Sequence, residues 1–491
     1  MLRSDSERPP IVKHLLKAAL VLFWMTLFTL ALVAGAKYPG NWIIYAVFTV
    51  VSNLLLYFGF RKKAIFFDAF IGVLMWLGFW LRFSIRTAFM EGYFPQARGT
   101  FDGSATAADQ VLLISTCGLL ALLLASIFRS RFIFNYQARA SDVAHTGLFA
   151  LYKDYRRPLL TAFVILVIGI AVSNAWLGIY QRGEVPRTAL PFGLGGIYTW
   201  LLLFGLSSLS ALILHFELAI QHRTTWLPAL LGIFECFLSS VSLLSRGMIL
   251  NGGALFYGVW RSLRLQSAAS TFRFLVFATT LFALLFVASV LLVNHLRIPD
   301  APKAKATSET SVATIAKSNS FVKLSGLVLD RWVGIEGVMA VANYPDRGWD
   351  LWNAAWSERY DVHKTSFFDL NLIDTPYKKV DTAKHHYVSL PGVIAFFFYP
   401  GSYAFLFAAL FVLGLFAALI EISAYRLGGR NVILCALIAQ VVAYRYTSFG
   451  YVPRQSYMLF GAIYINLALI WIGNWLPAHR AGKGRLANSP L

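Results

Sequence analysis

The run LLKAALVLFWMTLFTLALVAGA, Leu15–Ala36, decides the fold. As a helix it would reach about 33 Å, enough to cross a hydrocarbon core of about 30 Å. It is longer than the roughly 7–15 residues of a secretory h-region and lacks a convincing cleavage site. It therefore reads as a first membrane span.

Similar runs recur along the chain, at 42–60, 65–81, 109–128, 159–180, 196–216, 227–244, 247–260, 274–294, 392–422, 431–450 and 456–476. The eighth is short; the tenth is long enough to tilt or to begin at the surface. The 491 residues are 58% hydrophobic and only 13% charged, against about 25% charged in soluble domains. Lipid cannot satisfy bare backbone groups, so spans of this kind are helices. The expected fold is all-α: a polytopic transmembrane bundle of about 12 spans with one large, partly helical periplasmic loop. Cys117, Cys236 and Cys435 all fall in apolar spans and read as small buried hydrophobes.

Short-loop Lys and Arg set the orientation. With the N-terminus inside, inner segments carry 22 of them and short outer segments 9. Both termini are then cytoplasmic, and the formal charge of +20 mostly marks the inner face. Nucleic acid is not an expected partner.

The organisation that follows is spans one to nine over 1–294, a periplasmic loop over 295–391, and spans ten to twelve with a cytoplasmic tail over 392–491. The loop holds 12 Lys/Arg and 11 of the chain's 23 acids. Pro299–Ser320 is rich in Ala, Lys, Ser and Thr and reads as a flexible linker. Leu324, Leu327, Val328, Arg331, Ile335, Val338 and Met339 then fall at helical spacing. They predict an amphipathic helix against the outer, membrane-facing surface of the bundle. Trp349, Trp352 and Trp356 mark a second stretch hugging the bilayer, since tryptophan favours the interface.

Within LLSRGMILNGG, Leu243–Gly253, Arg246 sits in a short outer turn with no carboxylate in the stretch. Ionisable residues at membrane depth are functional candidates; the plain alternative is an arginine that snorkels to the interface. Arg82 and Arg86 share a helix face at the end of the third span. Arg445 lies in VVAYRYTSFGYVPRQ, with Arg454 soon after, and Arg331 lies on the apolar face of the loop helix, in DRWVGIEG with Glu336. Several arginines on one side of a membrane suit a phosphate-rich ligand, because guanidinium meets phosphate through paired hydrogen bonds.

His385 and His386 precede the tenth span in KHHYVSLPGVIAFFFYPGS. They read either as solvated surface histidines or as substrate contacts; with no HExxH and no Cys cluster, no metal is expected. Within-span acids are Glu217, Glu235 and Glu421. Glu235 is deeper than Glu217, which keeps a proton-coupled transporter open as an alternative. No Walker A motif, dinucleotide fingerprint or GxSxG elbow is present.

These features together resemble bacterial polysaccharide polymerases of the Wzy type, within the wider group that includes the O-antigen ligases. The resemblance rests on the span number with both ends inside, the late dominant periplasmic loop, the Ser245–Gly247 SRG turn, and the passage from His385 through SLPGVIAFFFYPGSYAFLFAALFVLG. Ligases often carry an Asn-x-Tyr-Leu type run after a His. Here Tyr387 follows His386 directly and the Asn is absent, which weighs against the ligase role.

The resemblance implies a nucleotide- and metal-independent glycosyltransferase of the bacterial inner membrane, with no cofactor. Its substrates would be glycans on undecaprenyl pyrophosphate, with membrane lipid and a chain-length regulator protein as further partners. Arg246 and Arg331 would contact the leaving diphosphate, with Arg82, Arg86 and Arg445 behind them, and Glu336 or His386 would accept the hydroxyl proton. A ligase, a flippase or transporter, and an assembly protein are the alternatives.

Overall fold

The computed structural model describes residues 10–94, 98–134, 136, 147–221, 226–245, 249–265, 272–297, 332–379 and 381–487. Among them there is no β-strand; Glu184 and His385 form an isolated bridge. Seven helices are long and apolar enough to cross a membrane. These are α2 (Trp42–Gly59), α3 (Phe66–Phe89), α4 (Ala105–Phe132), α6 (Arg156–Leu177), α7 (Pro191–Ile220), α15 (Tyr403–Leu427) and the apolar part, Pro453–Trp475, of the last helix.

The remaining long helices are α1 (Pro10–Lys37), α8 (Trp226–Ser242), α9 (Ile249–Leu265), α10 (Phe272–Arg297), α16 (Val432–Thr447) and α17 (Ser456–Ala487). Shorter ones are α5 (Gly147–Asp154), α11 (Ile335–Ala342), α12 (Trp349–Trp356), α13 (Phe367–Asn371) and α14 (Val393–Phe397). Outward faces stay apolar, as at Trp42 and Val50 on α2, Ile165 and Trp176 on α6, and Val412 on α15. Exposed apolar area on this scale marks a surface made for lipid.

Helix starts follow local chemistry. Asn41, Ser104, Ser402 and Asn431 each accept a hydrogen bond from a backbone N–H of the first turn that follows, satisfying donors the helix leaves orphaned. The continuous tenth run expected over 392–422 is broken. Pro400 and Gly401, the latter at φ +78°, turn the chain between α14 and α15. Proline cannot continue a helix, and the left-handed position suits glycine.

The centre of the bundle packs α16 against α3 and α9, and α4 against α2 and α15. Its two ends differ. At one end Arg61 donates to the Ser126 carbonyl at 2.8 Å, Arg129 pairs with Asp68, and Arg261 donates to the Ala64 carbonyl at 2.6 Å. Glu421 there accepts from the N–H groups of Phe66 and Phe67, both at 2.9 Å. The other end gathers the connections around Arg82, Arg182, Leu243, Phe449 and the 332–402 segment.

The loop helix departs from its expected place. The part of it within 298–331, Arg331 included, lies outside the described residues. The rest is α11, and every residue of α11 is buried. It packs on α4 and α14 inside the bundle instead of lying on its surface. The sequence IEGVMAVA explains this, because it is apolar on nearly every face. Two glycine contacts permit the depth: a Cβ on Gly334 would stand 1.9 Å from the Gly78 carbonyl oxygen, and one on Gly337 as close to that of Pro391.

The tryptophans of α12 also turn partly inward. Trp349 is half exposed. Trp352 and Trp356 stack at 5.2 Å and lean on Phe396 and Phe449.

Candidate functional site

The sequence-selected residues that fall within the described structure lie at the same end of the bundle, in two groups. Arg246 and Arg331 lie outside the described residues.

The first group stands on α3. Trp76–Leu81 winds as a π-turn, a widened turn that occurs often at functional sites. Arg82 comes directly after it. Its Nη2 lies 2.5 Å from Glu336 Oε1, and both side chains are buried. Its Nη1 donates to the Trp332 carbonyl at 2.7 Å. Arg86, one turn on and equally buried, donates to the Tyr93 carbonyl at 3.3 Å. The arginine on the α3 face is thus matched by a carboxylate from the polar segment, a pairing that residue spacing did not suggest. A carboxylate so held stays an acceptor for Arg82, which makes Glu336 the weaker of the two base candidates.

The second group forms where three connections meet. Tyr451 is its joint: its hydroxyl lies 2.8 Å from His386 Nε2, and its carbonyl accepts from Arg445 Nη2 at 3.4 Å. Arg445 Nη2 also donates to Ser456 Oγ at 2.9 Å, and the guanidinium lies 5.6 Å from the Phe449 ring centroid. Its charged neighbour is another arginine, Arg182. Among the described residues Arg445 meets no carboxylate.

The Tyr444 and Tyr180 side chains lie close to that of Arg182. Its backbone N–H donates to the Leu243 carbonyl at 2.9 Å, which ties it to the chain just ahead of the SRG turn. The His386 N–H donates to the Gly183 carbonyl at 3.0 Å. His385 Nδ1 lies 3.1 Å from Glu184. These contacts fasten 180–185 to 384–387, and they are why Arg182, His386 and Arg445 share one place. Burial pushes the His386 imidazole below its ordinary pKa, so its neutral form prevails at pH 7.

The turn carrying Tyr451 is strained. Val452 has φ +44°, a left-handed conformation that is an outlier for a β-branched residue. Glu358 holds it there, accepting from the Val452 N–H at 3.0 Å and from the Phe367 N–H at 2.6 Å. Leu244, just before the SRG turn, is also left-handed, at φ +51°. Strain of this kind, about 1–3 kcal/mol per residue, clusters at functional sites.

Arg445, which meets no carboxylate among the described residues, offers paired donors that suit an anion's oxygens. Sequence reading counted Arg182 only as an outer-segment charge. Nothing in YQRGEV links it to Arg445, and only the fold does.

Of the within-span acids, Glu217 pairs with Arg156 at 2.5 Å and accepts from Tyr152. Among the described residues the partners of Glu235 are neutral: the Ser207 and Ser239 hydroxyls and the Cys236 thiol. No group of His, Cys, Asp and Glu among the described residues could hold a metal ion. No family model, curated protein or solved structure matches the chain.

Proposed function

We propose that this protein polymerises lipid-linked oligosaccharide repeat units, transferring a glycan from undecaprenyl pyrophosphate at the periplasmic face of the bacterial inner membrane. The single observation that carries the reading is Arg445, which meets no carboxylate among the described residues and is joined through Tyr451 to His386 at the end of an apolar bundle that also holds the polar segment. The twelve-pass arrangement is part of the proposal. It adds α1, α8, α9, α10 and α16 to the seven long helices and places both termini in the cytoplasm. The gathering of Arg61, Arg129, Arg261, Arg426 and Arg430 at the opposite end supports that orientation.

In the proposed reaction an acceptor hydroxyl oxygen bonds to the anomeric carbon of the donor glycan. The bond from that carbon to the pyrophosphate oxygen breaks, and the electron pair leaves on undecaprenyl pyrophosphate. The proton passes to the Tyr451 hydroxyl as that hydroxyl gives its own to neutral His386 Nε2, its hydrogen-bond partner. Negative charge grows on the diphosphate as the bond breaks, and fixed guanidiniums stabilise that charge more than the ground state. Arg182 and Arg445 take this role. Arg246 and Arg331 are further proposed contacts, while Arg82 and Arg86 with Glu336 shape and charge the adjoining wall. The donor is already activated, so neither nucleotide nor metal is called for.

The test is the purified protein in vesicles with purified lipid-linked repeat unit. Long glycan ladders with release of undecaprenyl pyrophosphate support the reading; unchanged substrate in an otherwise folded protein refutes it. Buried Glu235 with its neutral partners favours a second reading, a proton-coupled transporter or flippase of lipid-linked or small-molecule substrate. An O-antigen ligase differs only in its acceptor, and offering a lipid A–core acceptor in the same assay separates it.

A further inference from the structure

At the opposite end of the bundle, a half-open cleft of about 590 Å³ lies between the C-terminal ends of α4 and α15. Its lining includes Arg131, Arg426, Arg430, Ser130 and Tyr425, and no acid among the described residues. We propose that this cleft is a binding site for the phosphate headgroup of an anionic phospholipid.

Three features carry the proposal. First, the guanidiniums stand where two apolar helices end, the depth at which a headgroup phosphate sits. Arginine meets phosphate oxygens through paired donors. Second, Arg430 has φ +59° and follows Gly429 at φ +69°. A glycine would occupy that left-handed position without strain, yet an arginine is held there, its N–H donating to the Tyr425 carbonyl at 2.8 Å. The conformation turns a strained residue's charge to the cleft lining. Third, the helix surfaces running away from the cleft are apolar and outward: Phe128 and Phe132 on α4, Val412, Phe416 and Leu419 on α15. Acyl chains lie against such a surface, and a soluble anion would gain nothing from it. The lipid source is therefore favoured over free phosphate. The inference depends on membrane insertion alone and is independent of the proposed polymerase reaction.

The experiment is native mass spectrometry of the purified full chain in detergent. Phosphatidylglycerol, phosphatidylcholine and inorganic phosphate are titrated separately. Phosphatidylglycerol should bind at least about tenfold more tightly than phosphatidylcholine, given roughly one unit of favourable interaction per basic residue near the headgroups. The double variant Arg426→Gln/Arg430→Asn should lose that preference. Asparagine tolerates the left-handed backbone, so the turn is preserved. Arg131→Gln alone, which leaves the turn untouched, should lose part of it. Equal binding of the two lipids, or an undiminished preference in both variants, overturns the proposal. So does saturation by inorganic phosphate without any lipid preference, which would make the cleft a soluble-anion site.

Discussion

Arg82 and Glu336 meet as a buried ion pair, Nη2 to Oε1 at 2.5 Å, with side-chain exposures of 0% and 4%. The pair joins α3 to the polar segment, and Arg82 also donates to the Trp332 carbonyl. Breaking a buried ion pair of this kind is costly in a low-dielectric interior. Glu336→Ala should therefore cost about 3–5 kcal/mol. Thermal melting of the purified protein reads this directly, and Arg82→Met/Glu336→Met should recover most of the loss. A Glu336→Ala protein melting with the parent would show that the pair does not hold the segment in place.

Gly334 and Gly78 touch backbone to backbone. A methyl group on Gly334 would overlap the Gly78 carbonyl, so Gly334→Ala should force α11 away from α3. The expected destabilisation is about 1–3 kcal/mol. Gly348→Ala, where an added Cβ meets nothing within 4 Å, is the matched control. Equal melting temperatures for the two variants would contradict the packing described.

Acid should silence the reaction through His386. Burial lowers its pKa below the ordinary value of about 6.5. The imidazole is therefore neutral and able to accept a proton at pH 7, and charges only as pH falls through the lowered value. Polymerisation rate should be flat around neutrality and fall on the acid side. His386→Ala should lose about 10²–10⁴-fold in rate and lose that acid limb. An unchanged acid limb in the variant would assign it to another group. The same sign governs stability: what the buried neutral imidazole contributes is present above the unfolded-state pKa and lost as pH falls through the folded one.

Glu235→Gln separates the two functional readings. Its carboxyl is buried among hydroxyls and a thiol, and an amide fills the same space without carrying a proton. The polymerase account expects glycan ladders of normal length from this variant. Abolished activity with normal folding would favour the transporter.

Much of the helical framework was legible because lipid demands long apolar runs. The 42–60 run became α2 almost residue for residue, and 431–450 became α16 with Asn431 as its cap. The break near 400 was missed when 392–422 was read as one run, although Pro400–Gly401 is a turn signal inside an apolar stretch. The burial of α11 was harder to see. Its apolar faces were visible, but the glycine-to-backbone contacts that let it sink are long-range. The grouping of the candidate residues was not legible: His386 and Arg445 were singled out separately, and only the 448–455 turn, through Tyr451, joins them. Arg82 finding Glu336 and Arg445 finding Arg182 are pairings across the whole chain, and periodicity reports only neighbours on one element.

The central claim is that the Arg182 and Arg445 guanidiniums stabilise a departing diphosphate. Its most direct test is the rate of undecaprenyl pyrophosphate release by Arg445→Ala, and by Arg445→Lys, in vesicles holding lipid-linked repeat units. The account predicts a loss of about 10²–10³-fold for alanine, with lysine, a point charge without the planar fork, recovering only part. Release at the parental rate by a folded Arg445→Ala protein would contradict it.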